Sequence, residues 1–380
     1  MKNKQYTPEQ KLILHCTHQN INLTNIELLE QLTNEGLHWD ILINIALEHR
    51  TIPFLYKNLK QYCANKVPVN IMNKLKQRFY INIARNQLLV KKLFDVIDLF
   101  KKNDIPCISY KGPLLATMLY QDIIWRQFAD LDIVLRKNDV LKGLSLLLSN
   151  GYHSKTHLDS RQQKLCLQTG QEFSCYDEIS SIDLKWNIER SFNYKEIKEM
   201  WQGLESVVIC NKKILTFNKR DLFWILCEHG TRHYWYKIFW INDFSALARQ
   251  FNDEELLEMF NQGCKNGKKR IFLLAFSIMK NLLGQEIPGF IQRSIKSTPV
   301  IDLLTKSVKE QLFKPIVLKK KRFIFHIRTK ENFKDKLRLI NFSLHPSEKD
   351  VTLTSLPLFS QLLYYPLRFI RIAINYIFKK

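Results

Sequence analysis

The chain has 380 residues, a formal net charge of +22, 46% hydrophobic and 12% aromatic residues, and only 11 Gly and 11 Pro. That apolar content with so few breakers excludes a disordered chain and predicts one large or two to three smaller folded domains, mostly helical. The charge attracts polyanions such as nucleotides, nucleic acid or anionic lipid, although a Lys-, Ile- and Asn-rich proteome would produce the same bias, so charge identifies no ligand.

The first hundred residues read as helices. Leu12, Ile13 and Leu14 open one; Trp39, Ile41, Leu42, Ile45 and Ala46 recur at helical spacing, with Pro53 expected to close that element. A long amphipathic stretch runs from about Val67 to Lys102, with Leu88, Leu89, Leu93, Val96, Ile97 and Phe100 on one side. The period then changes. Residues 105–110 favour a strand, Lys111-Gly112-Pro113 breaks it, and a helix resumes from Leu114 to Tyr120 with Pro113 in its first turn. Residues 129–135 predict a second strand, and residues 138–149 a helix stopped by Asn150-Gly151. Two further strands are expected at 173–176 and 181–188, and helical periodicity returns from about Asp221.

Within this frame the segment Asp130-Leu-Asp132 carries chemistry. Strand side chains alternate faces, so both carboxylates point one way while Leu131, Ile133 and Leu135 point into a core. Neighbouring carboxylates repel each other and resist burial unless a cation joins them, and Mg2+ suits hard oxygen donors with positions left for phosphate. A lone Asp-x-Asp is more often a solvated turn or strand end. Here Lys111-Gly112 precedes a helix N-terminus, an arrangement that offers backbone N–H groups and a cation to phosphate. Asp183, on a later strand, supplies a third carboxylate. Together these are the parts of metal-assisted phosphoryl chemistry.

Lys111-Gly112, Tyr120, Arg126, Asp130-Leu-Asp132-Ile133 and Gly151-Tyr152 follow one another in an order that resembles a family of uncharacterised bacterial nucleotidyltransferases in the polymerase-β superfamily. The family's acid-Leu-His-Trp element appears as Asp183-Leu184-Lys185-Trp186, so Lys185 departs from its pattern. The resemblance extends upstream through Trp39, Ala46, His49-Arg50 and residues 53–56. Downstream it takes in His229, His233, Trp235, Trp240 and Asp243, then Leu356-Pro357 and residues 365–368.

The resemblance implies an α/β fold of α+β type: a polymerase-β-like nucleotidyltransferase core with a mixed sheet, flanked by N- and C-terminal helical regions. The expected division is a helical region at 1–85, the core at 86–210, a second helical region at 211–345 and an amphipathic tail at 346–380. It also implies an enzyme that moves an NMP from an NTP, ATP included, to an unidentified acceptor (small molecule, peptide or protein), releasing pyrophosphate. Asp130, Asp132 and Asp183 would be catalytic and would hold Mg2+, with Mn2+ as the alternative ion. Lys111, Gly112, Arg126, Lys185, His229 and His233 would contact nucleotide.

Each assignment has a plainer alternative. Asp183 could be an exposed residue paired with Lys185 or Arg190, and Arg126 a salt bridge to the acidic pair. His229 and His233 share a helical face, which suits a structural pair or a cleft lining better than zinc. Lys319–Arg322, with Arg328, Lys330, Lys334, Lys336, Arg338 and interleaved Phe residues, reads as a solvated basic face, or as a contact for nucleic acid in a tRNA-modifying or toxin-like transferase. A non-catalytic nucleotide-binding scaffold is the remaining alternative. The tail from Pro366 to Lys380 carries a narrow polar stripe that suits docking on the protein or peripheral contact with an anionic membrane. The eight cysteines have no C-x-x-C or zinc-ligand spacing and read as reduced, mostly buried thiols. The N-terminus shows no apolar signal-peptide stretch and no apolar run is long enough to span a bilayer, so the expected location is cytoplasmic.

Overall fold

The computed structural model describes residues 6–17, 19, 21, 23–169, 172–188, 197–314, 319–344, 366 and 368. The amphipathic tail, Leu356-Pro357 and Arg190 therefore lie outside the described residues, apart from the isolated positions 366 and 368.

Five helices open the chain: α1 (Pro8–His15), α2 (Leu23–Asn34), α3 (Trp39–Glu48), α4 (Ile52–Tyr62) and α5 (Val69–Lys102). Thr7 and Gln10 start α1 with a reciprocal capping box, which satisfies two otherwise orphaned backbone N–H groups. Pro53 opens α4 rather than closing α3. Its fixed φ suits a first helical turn, and α3 is ended instead by Arg50, whose φ is +55°. In α5 the buried positions Ile71, Leu75, Phe79, Asn82, Asn86, Leu89, Leu93, Val96 and Phe100 recur every three or four residues, as a helix with one buried stripe requires. Leu88 lies off that stripe and is exposed.

There follow β1 (Cys107–Ser109), α6 (Gly112–Tyr120), β2 (Asp130–Leu135), α7 (Val140–Ser149), β3 (His153–Ser154), α8 (Ser160–Thr169), β4 (Glu172–Tyr176) and β5 (Ser181–Lys185). The chain continues through α9 (Ile197–Met200), β6 (Leu204–Ile209), β7 (Lys212–Phe217), α10 (Lys219–Arg232) and α11 (Ile238–Ala248). It then runs through α12 (Asp253–Lys265), α13 (Lys269–Leu283), α14 (Gly289–Lys296), α15 (Val300–Gln311), α16 (Lys319–Thr329) and α17 (Phe333–Leu344). Strands occupy less than expected at two places: β1 is confined to 107–109, and β5 ends at Lys185.

These elements form two compact units, neither continuous in sequence. The first takes residues 1–91, 110–129 and 193–331; the second takes 92–109, 130–192 and 332–380.

In the first unit α10, α11 and α13 meet around an aromatic core. Phe223 contacts Trp224, Phe244, Phe272 and Phe276, with ring centroids 5.3 to 6.1 Å apart. Burying each such side chain contributes about 1.5 to 3 kcal/mol. A hairpin, β6–β7, also belongs here; Cys210 and Asn211 both have positive φ at its turn, the backbone that matches hairpin twist.

The second unit is built on a five-stranded mixed sheet in the order β1-β2-β5-β4-β3. β2 and β5 run parallel, and the other neighbours are antiparallel. Leu131, Ile133 and Leu135 of β2, Ile182 and Leu184 of β5, and Phe173 and Cys175 of β4 are all buried and share one face. Helix α7 packs against β3, β4 and β5. Gly143 of α7 lies against the end of β2, where a Cβ would meet Leu135 Cδ1 at 2.5 Å. The α/β core with a mixed sheet and flanking helices is the fold class the sequence predicts.

Candidate active site

The second unit carries the carboxylates. In the β2–β5 ladder Asp130 pairs with Ser181 and Asp132 with Asp183. Matched positions of neighbouring strands project to the same side, roughly 4.8 Å apart. Asp130, Asp132 and Asp183 therefore share the face opposite the apolar one. Asp132 is buried, while Asp130 and Asp183 are half-buried. The β4–β5 ladder sets Ser174 beside Asp183, and the Ser174 hydroxyl donates to Asp183 Oδ1 at 2.6 Å. Burial raises the Asp183 carboxyl above its ordinary range, helped by the nearby negative Asp132 and Glu172 and opposed by Lys185 and the Ser174 hydrogen bond.

Lys185 belongs to the same face. Its ammonium lies 3.2 Å from Asp132 Oδ1 and also contacts the Glu172 carboxylate, its partner across β4–β5. Among the described residues no three His, Cys, Asp or Glu side chains gather as a metal-ligand cage. Mg2+, however, commonly takes only one or two protein carboxylates and leaves its remaining positions to water and phosphate. Asp132 and Asp183, register partners with hard oxygen donors, fit one such ion.

The first unit carries Lys111, Gly112, Arg126, His229 and His233. Gly112 opens α6 with φ +54°, a backbone that costs side-chain-bearing residues energy. It leaves Lys111 extended, with its ammonium 3.2 Å from His229 Nδ1. An ammonium only donates, so Nδ1 accepts. The His229 and His233 rings lie 4.6 Å apart, and both meet Trp240, at 5.1 and 5.0 Å. Arg232 donates to His233 Nε2 at 3.0 Å, which leaves the other ring nitrogen to carry the proton. Burial, then Arg232, Lys111, Arg322 and His326, push His233 down to about 3. His326 is held at about 4, first by burial and then by Arg322 and Lys330. The result is a neutral imidazole and indole surface among Lys111, Arg232 and Arg322, a positive environment of the kind that receives an anion.

Arg126 belongs to the same unit, its guanidinium 5.4 Å from the Phe239 ring centroid, and Phe239 in turn meets Trp240 at 5.3 Å. The Arg126 ε N–H donates to Asp243 Oδ2 at 2.9 Å, and Tyr120 donates its hydroxyl to the other oxygen at 3.0 Å. Buried Asn86 donates to the carbonyls of Ile123 and Arg126, at 2.7 and 2.8 Å, and so fixes the loop. In the basic stretch Phe325 is buried against Tyr234, at 4.1 Å, whereas Phe323 and Phe333 are exposed.

Sequence reasoning did not single out Glu172, Ser174, Asn86 or Arg232 for this chemistry. Glu172 and Ser174 alternate on a strand, which hints at one face, but only the ladder register tells which strand they adjoin. Nothing local marks Asn86, an ordinary helix residue by position, or Arg232.

A family profile described as an uncharacterised nucleotidyltransferase matches residues 35–284, more than half of the chain. The chain belongs to that family. No curated protein and no solved structure matches it. Membership makes this a nucleotidyltransferase-type chain, and the matched span contains both the carboxylate face and the His-Trp surface. No helix among the described residues is long and apolar enough to cross a membrane.

Proposed function

We propose that this nucleotidyltransferase-family chain is an enzyme that transfers a nucleoside monophosphate from an NTP, with ATP as the first substrate to test, to a hydroxyl or phosphate acceptor and releases pyrophosphate. The acceptor is a small molecule, peptide or protein. The observation that carries this reading is the Asp132–Asp183 pairing on adjacent parallel strands. Two carboxylates at matched positions repel, and the single ammonium of Lys185, shared with Glu172, offsets only part of their charge, so the face keeps an attraction for a further cation.

In this reading Asp132 and Asp183, with Asp130 at the start of β2, hold a divalent ion, Mg2+ by preference and Mn2+ as alternative. That ion, when bound, supplies neutralisation of the charge on the phosphates as pyrophosphate leaves. Asp183 takes the acceptor's proton, a role its Ser174 hydrogen bond supports by fixing the carboxylate rotamer. Within the first unit, Lys111, Gly112, His229 and His233 are the proposed nucleotide contacts, with the Trp240 ring beside the two imidazoles. Arg126, with its ε N–H committed to Asp243, contributes mainly by shaping the loop that leads into β2. The proposed working location is the cytoplasm.

The test is to incubate purified protein with Mg2+ and each labelled NTP, offer cell extract, tRNA or candidate peptides as acceptor, and follow pyrophosphate. Turnover that disappears in Asp132→Ala and Asp183→Ala supports the reading. Absence of turnover with every NTP and acceptor, or turnover indifferent to those substitutions, overturns it. Label transferred to tRNA instead would redirect it to an RNA acceptor, for which salt-sensitive binding is the expected signature.

A further inference from the structure

Lys185 is the unexpected member of the carboxylate face. It stands two residues after Asp183 on β5, and strand alternation puts both on one side. The ladders set Lys185 opposite Val134 of β2 and Glu172 of β4, which places its ammonium among carboxylates from three strands. Nζ is 3.2 Å from Asp132 Oδ1 and touches Glu172. The Lys185 and Asp132 side chains are each 7% exposed, so solvent does little to screen the pair, whereas Glu172 is 44% exposed.

A fixed positive charge in that position does two things. It neutralises Asp132, lowering that oxygen's attraction for a further cation, and it repels any ion brought within a few ångströms. Lysine suits the part, since its compact ammonium is a point charge on a long stem.

We infer that Lys185 is a tethered cation that limits the carboxylate face to a single divalent ion, held by Asp132 and Asp183 with Asp130 at the start of β2. The inference rests on the proposed function in treating Asp132 and Asp183 as metal ligands. Lys185 acts here through Asp132, as a positioning residue: it fixes the carboxylate rotamer and sets the site's charge. Glu172 anchors the stem from the outer side.

The experiment counts Mn2+ bound to the full-length protein, by equilibrium dialysis and by the loss of free-ion paramagnetic resonance signal, without nucleotide. Wild type and Lys185→Arg, which keeps the charge, should bind one ion per chain. Lys185→Met should bind a second ion, or its first roughly tenfold more tightly, as removal of an adjacent like charge requires. Should Lys185→Met fail to fold by circular dichroism, Lys185→Gln, which keeps hydrogen-bond donors without charge, answers the same question. Two ions in wild type, or the same count and affinity in wild type and the uncharged variant, overturns the inference. No ion in wild type but one in the uncharged variant overturns the single-ion site, since Lys185 would then exclude the ion altogether, and removes metal dependence from the proposed function. No ion in any variant overturns it. One ion in wild type with the expected change in the variant, but no NTP turnover, leaves the tethered cation standing and overturns the transferase reading alone.

Discussion

Arg126 and Asp243 form an ion pair sealed from solvent, 2.9 Å from Nε to Oδ2, with side chains 8% and 2% exposed. Burial pushes the Asp243 carboxyl up, and Arg126 and Tyr120 pull against that push. Such a pair contributes little net stability against an apolar alternative, but removing one partner leaves a charge buried without its counterion. Asp243→Ala should therefore destabilise the first unit by about 3 to 5 kcal/mol. Urea unfolding followed by Trp fluorescence measures it. The double variant Arg126→Met/Asp243→Leu should recover much of the loss; no recovery would show that the pair is not the source.

The Lys111-Gly112 turn makes a second prediction. With φ +54° at Gly112, an alanine must adopt a left-handed backbone at a cost of about 1 to 2 kcal/mol. Gly112→Ala should lose that much stability, and Gly112→Asn less, because Asn tolerates this region. Equal losses for Ala and Asn would point to crowding rather than to backbone conformation.

Both features were legible to different depths. Local signals carried far: Pro113 and Gly112 marked the turn, alternation put Asp130 and Asp132 on one face, and periodicity found α5 nearly whole. What failed was long-range or ambiguous by nature. Pro53 suits either side of a helix boundary, and only the course of the chain decides. The β6–β7 hairpin turns on Cys210-Asn211, which lacks the Asn-Gly signature that announces such turns. The pairing of Asp132 with Asp183 spans about fifty residues of chain and depends on β5 inserting between β2 and β4, which no spacing rule encodes. Lys185 was visible as a departure from a pattern, but its contact with Asp132 was not.

Three imidazoles predict acid sensitivity. His49 and His233 are held at about 3 and His326 at about 4, in each case first by burial and then by neighbouring cations. Their folded values lie below the ordinary value of 6.5, so the unfolded chain takes up protons that the folded chain refuses. The stability tied to neutral imidazole is complete above pH 6.5 and is lost as pH falls toward 4. Each contributes a slope of about 1.4 kcal/mol per pH unit in that window. Denaturant titrations at intervals from pH 7.5 to 4.5 should show the decline, and His326→Gln should flatten it. A stability that stays level across the window would mean that these rings are charged in the fold.

Gly230 makes the last prediction. It lies in α10 where a Cβ would come within 2.5 Å of three ring atoms of Trp235, whose backbone N–H in turn donates to the Gly230 carbonyl at 2.7 Å. The indole is rigid, fully buried and in contact with Phe244, so it cannot swing aside as an aliphatic tip could. Alanine is the better helix former by about 1 kcal/mol, and in an open position that preference would decide the sign. Here overpacking, about 1 to 3 kcal/mol, should outweigh it. Gly230→Ala should thus destabilise the first unit, and Trp235→Phe in the same chain should partly relieve the strain by shrinking the ring. If Gly230→Ala instead stabilises the protein, helix propensity has won and the indole has more room than its contacts indicate.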